Sequence, residues 1–422
     1  MINIQTIREN ADLVIERLLI KNFDAKDLIE KIIGIDAERR NVQKNVDALK
    51  AESNKISKEI GQLFKSGKGA EANALKAKVV ENKESIKRLD AKFAELADTQ
   101  NALLIQLPNI PCYDVPEGKT PDDNKVVRDN GEIKSNDSML PHWELAEKYD
   151  LIDFELGNKI TGAGFPVYKG KGARLQRALL NFFLDENTNA GYQETQPPIL
   201  VNEASAYGTG QLPDKEGQMY HATGDNLYLI PTAEVPLTNI FRDVLLNEKD
   251  LPIKITGYTP CFRREAGSYG KDVRGLNRLH QFDKVEILQV QHPEKSYDAL
   301  EEMVNHVEGI LKKLQLPYRI LALCGGDMSF TSAFTYDFEV FSEAQERWLE
   351  VSSVSNFESY QANRLKLRFK STEGKNQLAH TLNGSSLAFP RIMASILENY
   401  QTADGIEIPE VLKPYCGFDR IS

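Results

Sequence analysis

Apolar positions run through the first hundred residues in two regular seams. Ile35, Arg39, Val42, Val46, Leu49, Ser53, Ile56, Ile60 and Leu63 are spaced four, three, four, three, and so are Leu75, Val79, Asn82, Ile86, Leu89, Phe93, Leu96, Gln100 and Leu103. That spacing keeps one stripe of an α-helix turned toward a partner. Between the seams lies Ser66-Gly67-Lys68-Gly69, a turn signal. Two long helices joined by so short a turn run antiparallel. A helix of about 30 residues would extend about 45 Å at 1.5 Å per residue. A shorter amphipathic stretch, Ile7 to Ile20, is expected at the base of this two-helix arm.

The pattern changes at Pro108, the first of 18 prolines. Only three of the 35 aromatic residues precede it: Phe23, Phe64 and Phe93. Residues 1–107 therefore read as a helical arm, and 108–422 as a separate body. Pro108 to Asn136 is rich in Pro, Asp, Gly and Asn and reads as a linker, with 108–170 peripheral to the body. Leu175, Ala178, Leu179, Phe182 and Phe183 form a helical stripe within Gly172 to Asn189. Tyr192 to Val201 reads as a strand that Pro197-Pro198 confines to an edge or interface. Leu227 to Pro231, Ile253 to Tyr258, Val285 to Val290 and Tyr318 to Leu323 are further strands, and Tyr297 to Leu314 and Pro390 to Tyr400 are helices. Because strands and helices do not alternate strictly, the expected class is α+β with an antiparallel sheet.

Composition adds limits. Hydrophobic residues make up 41% and charged residues 27%, an ordinary globular balance. No apolar run reaches the length of a membrane span, and the acid-bearing N-terminus does not read as a signal peptide. Cys112, Cys261, Cys324 and Cys416 form no CxxC pair, so neither a local zinc knuckle nor a disulfide framework is expected, and a reducing cytoplasm is the expected home. The net charge of −10 argues against a nucleic-acid partner for the chain as a whole. Charge is local, however. Ile35 to Ile105 holds 14 Lys plus Arg against 11 Asp plus Glu, a net of +3, so the remainder carries −13.

The densest chemistry lies between Cys261 and Leu288. Cys261-Phe262-Arg263-Arg264-Glu265-Ala266-Gly267 and Leu276 to Leu288 (LNRLHQFDKVEIL) flank a Gly- and Arg-bearing loop, Gly267 to Gly275. An antiparallel hairpin is expected, with Arg263 and Glu265 on one strand and Phe282, Lys284 and Glu286 on the other. Alternate strand residues share a face. An aromatic plate, a cation and an acid on one surface suit a nucleotide beside a small polar substrate. The same residues also suit a solvated hairpin face.

With the hairpin in place, the order of segments resembles a class II aminoacyl-tRNA synthetase: a helix, a Pro-bearing strand, the FRRE…FDKVE hairpin, and a Gly-Ser strand leading into an Arg-bearing helix. Four stretches are similar to the seryl-tRNA synthetases of the bacterial type: GTGQLP (Gly208 to Pro213), LYLIPTAEVPLTN (Leu227 to Asn239), EVSSVSNFESYQANR (Glu350 to Arg364) and HTLNGSSLAFPR (His380 to Arg391). The resemblance spans the chain, arm included. It implies ATP-dependent activation of L-serine to seryl-adenylate, then transfer to the 3′ end of tRNA(Ser), with tRNA(Sec) a possible second acceptor. It implies a homodimer with Pro197 and Pro198 near its interface. It also implies that the arm, whose Lys55, Lys58, Lys65, Lys68, Lys76 and Lys78 cluster toward the tip, reaches the long variable arm of tRNA. Taken alone, such lysines suit a solvated face, and a coiled-coil hairpin suits a structural or protein-binding device.

By the same resemblance, Arg263 and Arg391 are the catalytic arginines, Arg263 on the α-phosphate and Arg391 on the γ-phosphate and the adenine. Phe282 stacks on the adenine, Glu265 lies on its side, Arg278 contacts the outer phosphates, and Arg264, Lys284, Val351 and Ser352 complete the ATP set. Glu350 and Ser353 are the implied Mg²⁺ ligands, oxygen donors of the kind this ion takes; Glu350 alone would pass for a surface carboxylate. Thr232, Ala233, Glu234, Arg263, Glu286, Asn383 and Ser385 are the implied serine-binding set. Glu286 accepts from the serine hydroxyl and Glu234 faces the ammonium, although Thr232-Ala233-Glu234 also reads as a helix start. A buried acceptor of this kind rejects alanine and glycine by about 10⁴-fold or more. The chain departs from many relatives at Arg264, where they carry a small residue. Ser385-Ser386 leaves the serine contact open between two positions, with spacing from Asn383 favouring Ser385. A carrier-protein-loading relative lacks the two seams, a threonyl or prolyl relative lacks the TAE and EVSS blocks, and a dead scaffold would not keep Arg263, Glu265, Glu286, Glu350 and Arg391.

Overall fold

The computed structural model describes residues 1–133, 139–214, 217–265 and 274–422. It divides into two compact units, one of residues 1–19 and 23–108, the other of residues 20–22 and 109–422. Among the described residues, no helix is long and apolar enough to cross a membrane.

The first unit is built on two helices, α3 (Lys26–Lys65) and α4 (Gly69–Leu104), preceded by α1 (Ile4–Glu9) and α2 (Ala11–Ile20). Val42, Val46 and Ile56 of the first seam are buried, as are Asn82, Leu96 and Gln100 of the second. The helices are longer than the seams, 40 and 36 residues, which corresponds to about 60 and 54 Å. The extension of α3 is held by Ile29 and Ile32, buried on its first turns. The single amphipathic stretch expected at the base is two helices, because Asn10 leaves helical geometry and closes α1.

A buried carboxylate fastens three of these helices. Asp36, 1% exposed, accepts from Arg8 of α1 (3.2 Å), Arg39 (3.1 Å) and Arg40 (2.9 Å) of α3, and Gln100 of α4 (3.2 Å). Burial alone would raise its pKa, but the bonds from Gln100, Arg39 and Arg8 hold it below the usual carboxylate value.

In the second unit, eight strands form one sheet, in the spatial order 125–130, 318–322, 334–342, 347–358, 380–388, 281–291, 253–262 and 193–194. Every pairing is antiparallel except the last, where Gln193–Glu194 runs parallel to Ile253–Phe262. Helices Gly170–Asn189, Ser296–Leu314 and Phe389–Asn399 contribute Phe182, Phe183, Met303, Val307, Ile392 and Ile396 to the main core, where they meet Val285, Ile287, Phe338, Val354 and Leu382 from the sheet. Strand alternation turns Lys284, Glu286, Leu288 and Val290 to the other face. There Leu288 and Val290 join a second cluster with Ala233, Leu237, Leu365 and Phe369. The site therefore lies on the face that the long helices leave open.

The class is the expected α+β, with several local corrections. The linker is not merely draped: Lys125–Asn130 is an edge strand paired with Tyr318–Ala322. Its Val126 and Val127 are both exposed, so no alternation marked it. Positions 134–136 of that linker lie outside the described residues. Tyr192 to Val201 is not one strand. Gln193–Glu194 joins the main sheet, while Leu200–Val201 pairs with Leu227–Leu229 in another, because Pro197 and Pro198 offer no N–H to continue a ladder.

Asp36→Asn removes the charge that three guanidiniums share. Breaking a buried ion pair on one side destabilises by about 3 kcal/mol or more. Thermal unfolding followed by helical ellipticity should show that loss at neutral pH. Because the native carboxyl is depressed, its stabilisation is present above the unfolded-state pKa and fades as pH falls through the native one. The gap between variant and wild type should therefore close in acid.

Candidate active site

Strands Ile253–Phe262 and Gln281–Gln291 pair antiparallel with Phe282 opposite Cys261 and Glu286 opposite Gly257. The expected hairpin is present, and its connecting positions 266–273 lie outside the described residues. One detail differs. Arg263 continues the ladder just past the strand, its N–H donating to the carbonyl of His280 (2.9 Å), but Glu265 has φ +49°. A left-handed residue breaks the alternation, so Arg263 and Glu265 do not share a strand face. Glu265 instead meets Arg278, Nε to Oε2 at 2.8 Å.

Glu286 has no solvent exposure. Its Oε1 accepts from the Thr232 hydroxyl at 2.7 Å and its Oε2 from the Asn383 amide at 2.9 Å. The ammonium of Lys284 pairs with Oε1 and also donates to Thr232 Oγ at 3.2 Å. Lys284, expected on the nucleotide side, is thus part of the Glu286 cluster, since residues two apart on a strand share a face. Thr232 is not simply a helix cap. The short helix Glu234–Asn239 starts from Ala233, while the Thr232 hydroxyl accepts from the Glu234 N–H (3.3 Å) and donates to Glu286. Ala233 lies in the second apolar cluster.

Glu234, also buried, lies in the same field. Burial pushes its carboxyl up to about 7; a bond from Gln361 opposes the rise, Glu286 adds to it, and Lys284 and Arg263 oppose it. Arg263 donates from Nε to the carbonyl of Pro231 (3.3 Å) and holds its guanidinium 5.2 Å from the centre of the Phe282 ring. The cation over Phe282 is therefore Arg263. Arg264 donates its backbone N–H to Gln218.

The neighbouring strand Arg347–Glu358 carries a second group. Arg391, on helix Phe389–Asn399, donates to the carbonyls of Glu350 (2.7 Å) and Asn277 (3.0 Å) and approaches the Glu350 carboxylate at 3.6 Å. Ser353 stands opposite Asp337. Burial first, then the charge of Glu350, drives the Asp337 carboxyl well above its ordinary value, and a bond from Ser353 opposes this. One oxygen of Asp337, Oδ1, is buried without a partner. Excess negative charge beside an unpaired oxygen is a donor set that fits a hard cation. Among the described residues, no group of three or more His, Cys, Asp or Glu side chains is placed to hold a metal by protein alone. Val351 is in the main core, and Ser352 bonds the carbonyl of Ser385 (2.6 Å), so these two side chains stand apart from Glu350 and Ser353.

Strand His380–Ala388 ties the groups together. Its Glu286-facing position is Ser385, in register with Glu286. Ser386 points the other way, donating to Asn187 of helix Gly170–Asn189 (2.8 Å). Alternation puts Asn383 and Ser385 on the site face, where the Asn383 amide already bonds Glu286. Sequence reasoning missed Gln361 and Asp337; a lone amide or acid carries no spacing signal.

Comparison with known proteins bears on the family and the fold. Residues 1–111 match the family model for the seryl-tRNA synthetase N-terminal domain, and residues 218–400 match the class II tRNA synthetase core domain of the G, H, P, S and T enzymes. The chain is 51% identical to a serine–tRNA ligase of Salinibacter ruber, over 100% of this chain and 99% of that one, and 48% identical to one of Chlorobaculum parvum over the full length of both. A crystal structure of seryl-tRNA synthetase from Pyrococcus horikoshii complexed with ATP superposes with a TM-score of 0.93 at 34% identity, covering 100% of this chain and 99% of that one.

Replacing Lys284 by Met should strand the Glu286 charge. Both side chains are buried, so a loss of about 3–5 kcal/mol is expected in chemical denaturation. The double substitution with Glu286→Gln should recover a large part of it.

Proposed function

The chain belongs to the seryl-tRNA synthetase family, and from that premise we propose how its residues divide the work of a serine–tRNA ligase. In this reaction the serine carboxylate attacks the α-phosphate of ATP and pyrophosphate leaves. The serine then passes from the adenylate to the 3′-terminal hydroxyl of tRNA. The attacking carboxylate is already a nucleophile, so no general base is needed. Positioning and charge neutralisation supply the rate.

The buried Glu286 cluster carries the reading. Thr232, Lys284 and Asn383 hold the carboxylate in one orientation, and it accepts the serine hydroxyl, with Ser385 beside it. Alanine and glycine leave that acceptor without its donor. Glu234 receives the α-ammonium. Serine binding must displace a proton from Glu234 below about pH 7, where the carboxyl is neutral, so the ammonium is taken more readily as pH rises.

Arg263 holds the α-phosphate, for which a two-pronged guanidinium is suited. Phe282 carries the adenine, and Arg391 and Arg278 meet the outer phosphates, with Glu265 on the adenine side. The backbone of Arg264, Val351 and Ser352 borders the nucleotide. Glu350 and Ser353 hold Mg²⁺, which neutralises the phosphates when bound; the raised carboxyl and unpaired oxygen of Asp337 beside them support a cation there.

Residues 1–107 form the tRNA-binding domain and 108–422 the catalytic domain. The arm takes the tRNA of serine, with tRNA(Sec) as a possible second acceptor. All six tip lysines are exposed, although Lys78 pairs with Glu52 (2.7 Å), Lys68 with Glu71 (3.5 Å), and Lys76 sits 4.5 Å from the Phe64 ring centre. Phosphate contacts of this kind position an RNA, whose helical grooves are read by shape. A homodimer formed near Pro197 and Pro198 is supported by the exposed Ile199 and Leu200 beside them. The cytoplasm is the compartment in which this reaction is needed.

ATP–pyrophosphate exchange with each amino acid tests the pocket. Wild type should respond to serine, and Glu286→Gln should lose about 10⁴-fold of its preference for serine over alanine. Undiminished preference in that variant would overturn the role. Changing Lys55, Lys58 and Lys65 together to Glu should leave exchange intact and raise the KM for tRNA. It should also flatten the salt dependence of charging by about two in log–log slope.

A further inference from the structure

Two of the stretches that mark the family, GTGQLP and the SYQANR end of EVSSVSNFESYQANR, touch neither nucleotide nor metal residues in the account above. They meet at Gln361. This residue lies on helix Ser359–Leu365 and is 1% exposed. Its Nε2 donates to Glu234 Oε1 at 2.6 Å and to the carbonyl of Thr209 at 3.3 Å, while its Oε1 accepts from the Thr381 hydroxyl at 2.8 Å.

The direction of the amide is set by chemistry. A carbonyl only accepts, and so does an ionised carboxylate. Turning the amide over would press its oxygen against both Thr209 and Glu234. Thr381 can donate, and it meets the oxygen that remains. The Thr209 carbonyl is itself aimed by its surroundings. Gly210 ends helix Glu203–Thr209 at φ +93°, and a Cβ there would lie 2.5 Å from Thr331 Cγ2. Arg364, three residues after Gln361 and therefore on the same helix face, donates to the carbonyls of Tyr207 and Leu212, each at 3.1 Å. Gln361 and Arg364 together grip the segment 207–212 from one side.

We propose that Gln361 is a positioning residue for the substrate's ammonium. Fixed by Thr209 and Thr381, its amide holds the Glu234 carboxylate in the orientation and charged form that receive the amino group of serine. The proposal rests on the reading of Glu234 as the ammonium acceptor. The other charges facing Glu234 are Glu286, Lys284 and Arg263, and all three belong to the site. The Gln361 amide is a neutral donor outside that set. It strengthens Glu234 as an anion without competing for the substrate, because a bond to a charged acceptor favours the charged form.

The test is pyrophosphate exchange by the full chain from pH 6 to 9, reading the KM of serine and of ATP separately, with a melting curve for each variant. In wild type the serine KM should fall as pH rises through about 7. Gln361→Met, close in volume, should move that inflection up by about one unit and raise the serine KM at pH 7 about fivefold, with the ATP KM unchanged. Thr381→Val, which keeps the amide but frees its direction, should move the profile the same way by less. Thr381→Ser should restore it. A folded Gln361→Met enzyme with the wild-type serine profile would overturn the proposal, and should that variant fail to fold, an unmoved profile in Thr381→Val would do the same. Glu234→Gln separates the two layers of the argument. If it abolishes the pH dependence of the serine KM while Gln361→Met leaves it in place, only the positioning role falls. If Glu234→Gln itself leaves serine KM and its pH dependence intact, the ammonium reading falls and takes the proposal with it.

Discussion

A carboxylate with no access to water has to be supplied with hydrogen bonds by the protein around it, and the centre of this sheet is arranged to do so for Glu286. Stripping an ion of its hydration is offset only by close, well-aimed partners. The partners come from three chain segments far apart in sequence: Thr232 before a short helix, Lys284 two residues back on the same strand, and Asn383 on the neighbouring strand. Each must arrive with its backbone already fixed. The antiparallel register that sets Glu286 opposite Ser385 on one side and Gly257 on the other is therefore as much a requirement of the site as the acid itself. Gly257 has a Cβ position only 2.6 Å from the Thr195 carbonyl, so the strand on that side passes too close for any side chain.

The neighbouring acid has the opposite character. Glu234 is also buried but less fully matched, and its carboxyl is raised to about 7 by burial. Two acids in one cavity, one neutralised by a lysine and two neutral donors and one held by a single amide, make an asymmetric receptor. The matched acid suits a neutral hydroxyl, which contributes one more hydrogen bond. The unmatched acid suits a cation, whose arrival supplies the missing charge. Serine carries both groups on adjacent carbons.

Much of this was legible in the chain, and what escaped did so for identifiable reasons. The seams of α3 and α4 were readable because a period sustained over nine positions survives polar substitutions such as Asn82 and Gln100. The shared face of Lys284 and Glu286 followed from strand alternation alone. The left-handed turn at Glu265 did not, since glutamate carries no turn signal and only its tertiary setting selects that conformation. The pairing of Lys284 with Glu286 was not legible, because a strand pattern specifies a face, not which neighbour an ammonium meets upon it. Asp36 was passed over because it lies one residue beside the seam, and its value depends on Arg8 and Gln100 from other helices. Gln361 was invisible for the same reason, its acceptor lying 127 positions earlier in the chain. The family resemblance implies roles for residues proposed to touch ligands and is silent about those that hold them.

Charge is partitioned on the same logic as structure. A body (residues 108–422) that carries a net −12 is a poor landing surface for RNA, while the arm segment with a net of +3 is a permissive one. The acidity of the body is also what its chemistry demands. As proposed, the pocket uses acids for the ammonium and hydroxyl of its substrate, and the nucleotide side uses an acid for a metal. Two of the arginines proposed to meet phosphate are individually restrained, Arg391 by two backbone carbonyls and Arg263 by the Pro231 carbonyl and the Phe282 ring. A guanidinium tied in this way loses little further freedom when phosphate arrives. The body holds 33 of the 52 Lys and Arg residues but more acids still, 45 of 62, and this excess is what sets it apart from the arm. On the proposed assignment, this division keeps an amino acid that offers an ammonium and a polyanionic tRNA at different places on one chain.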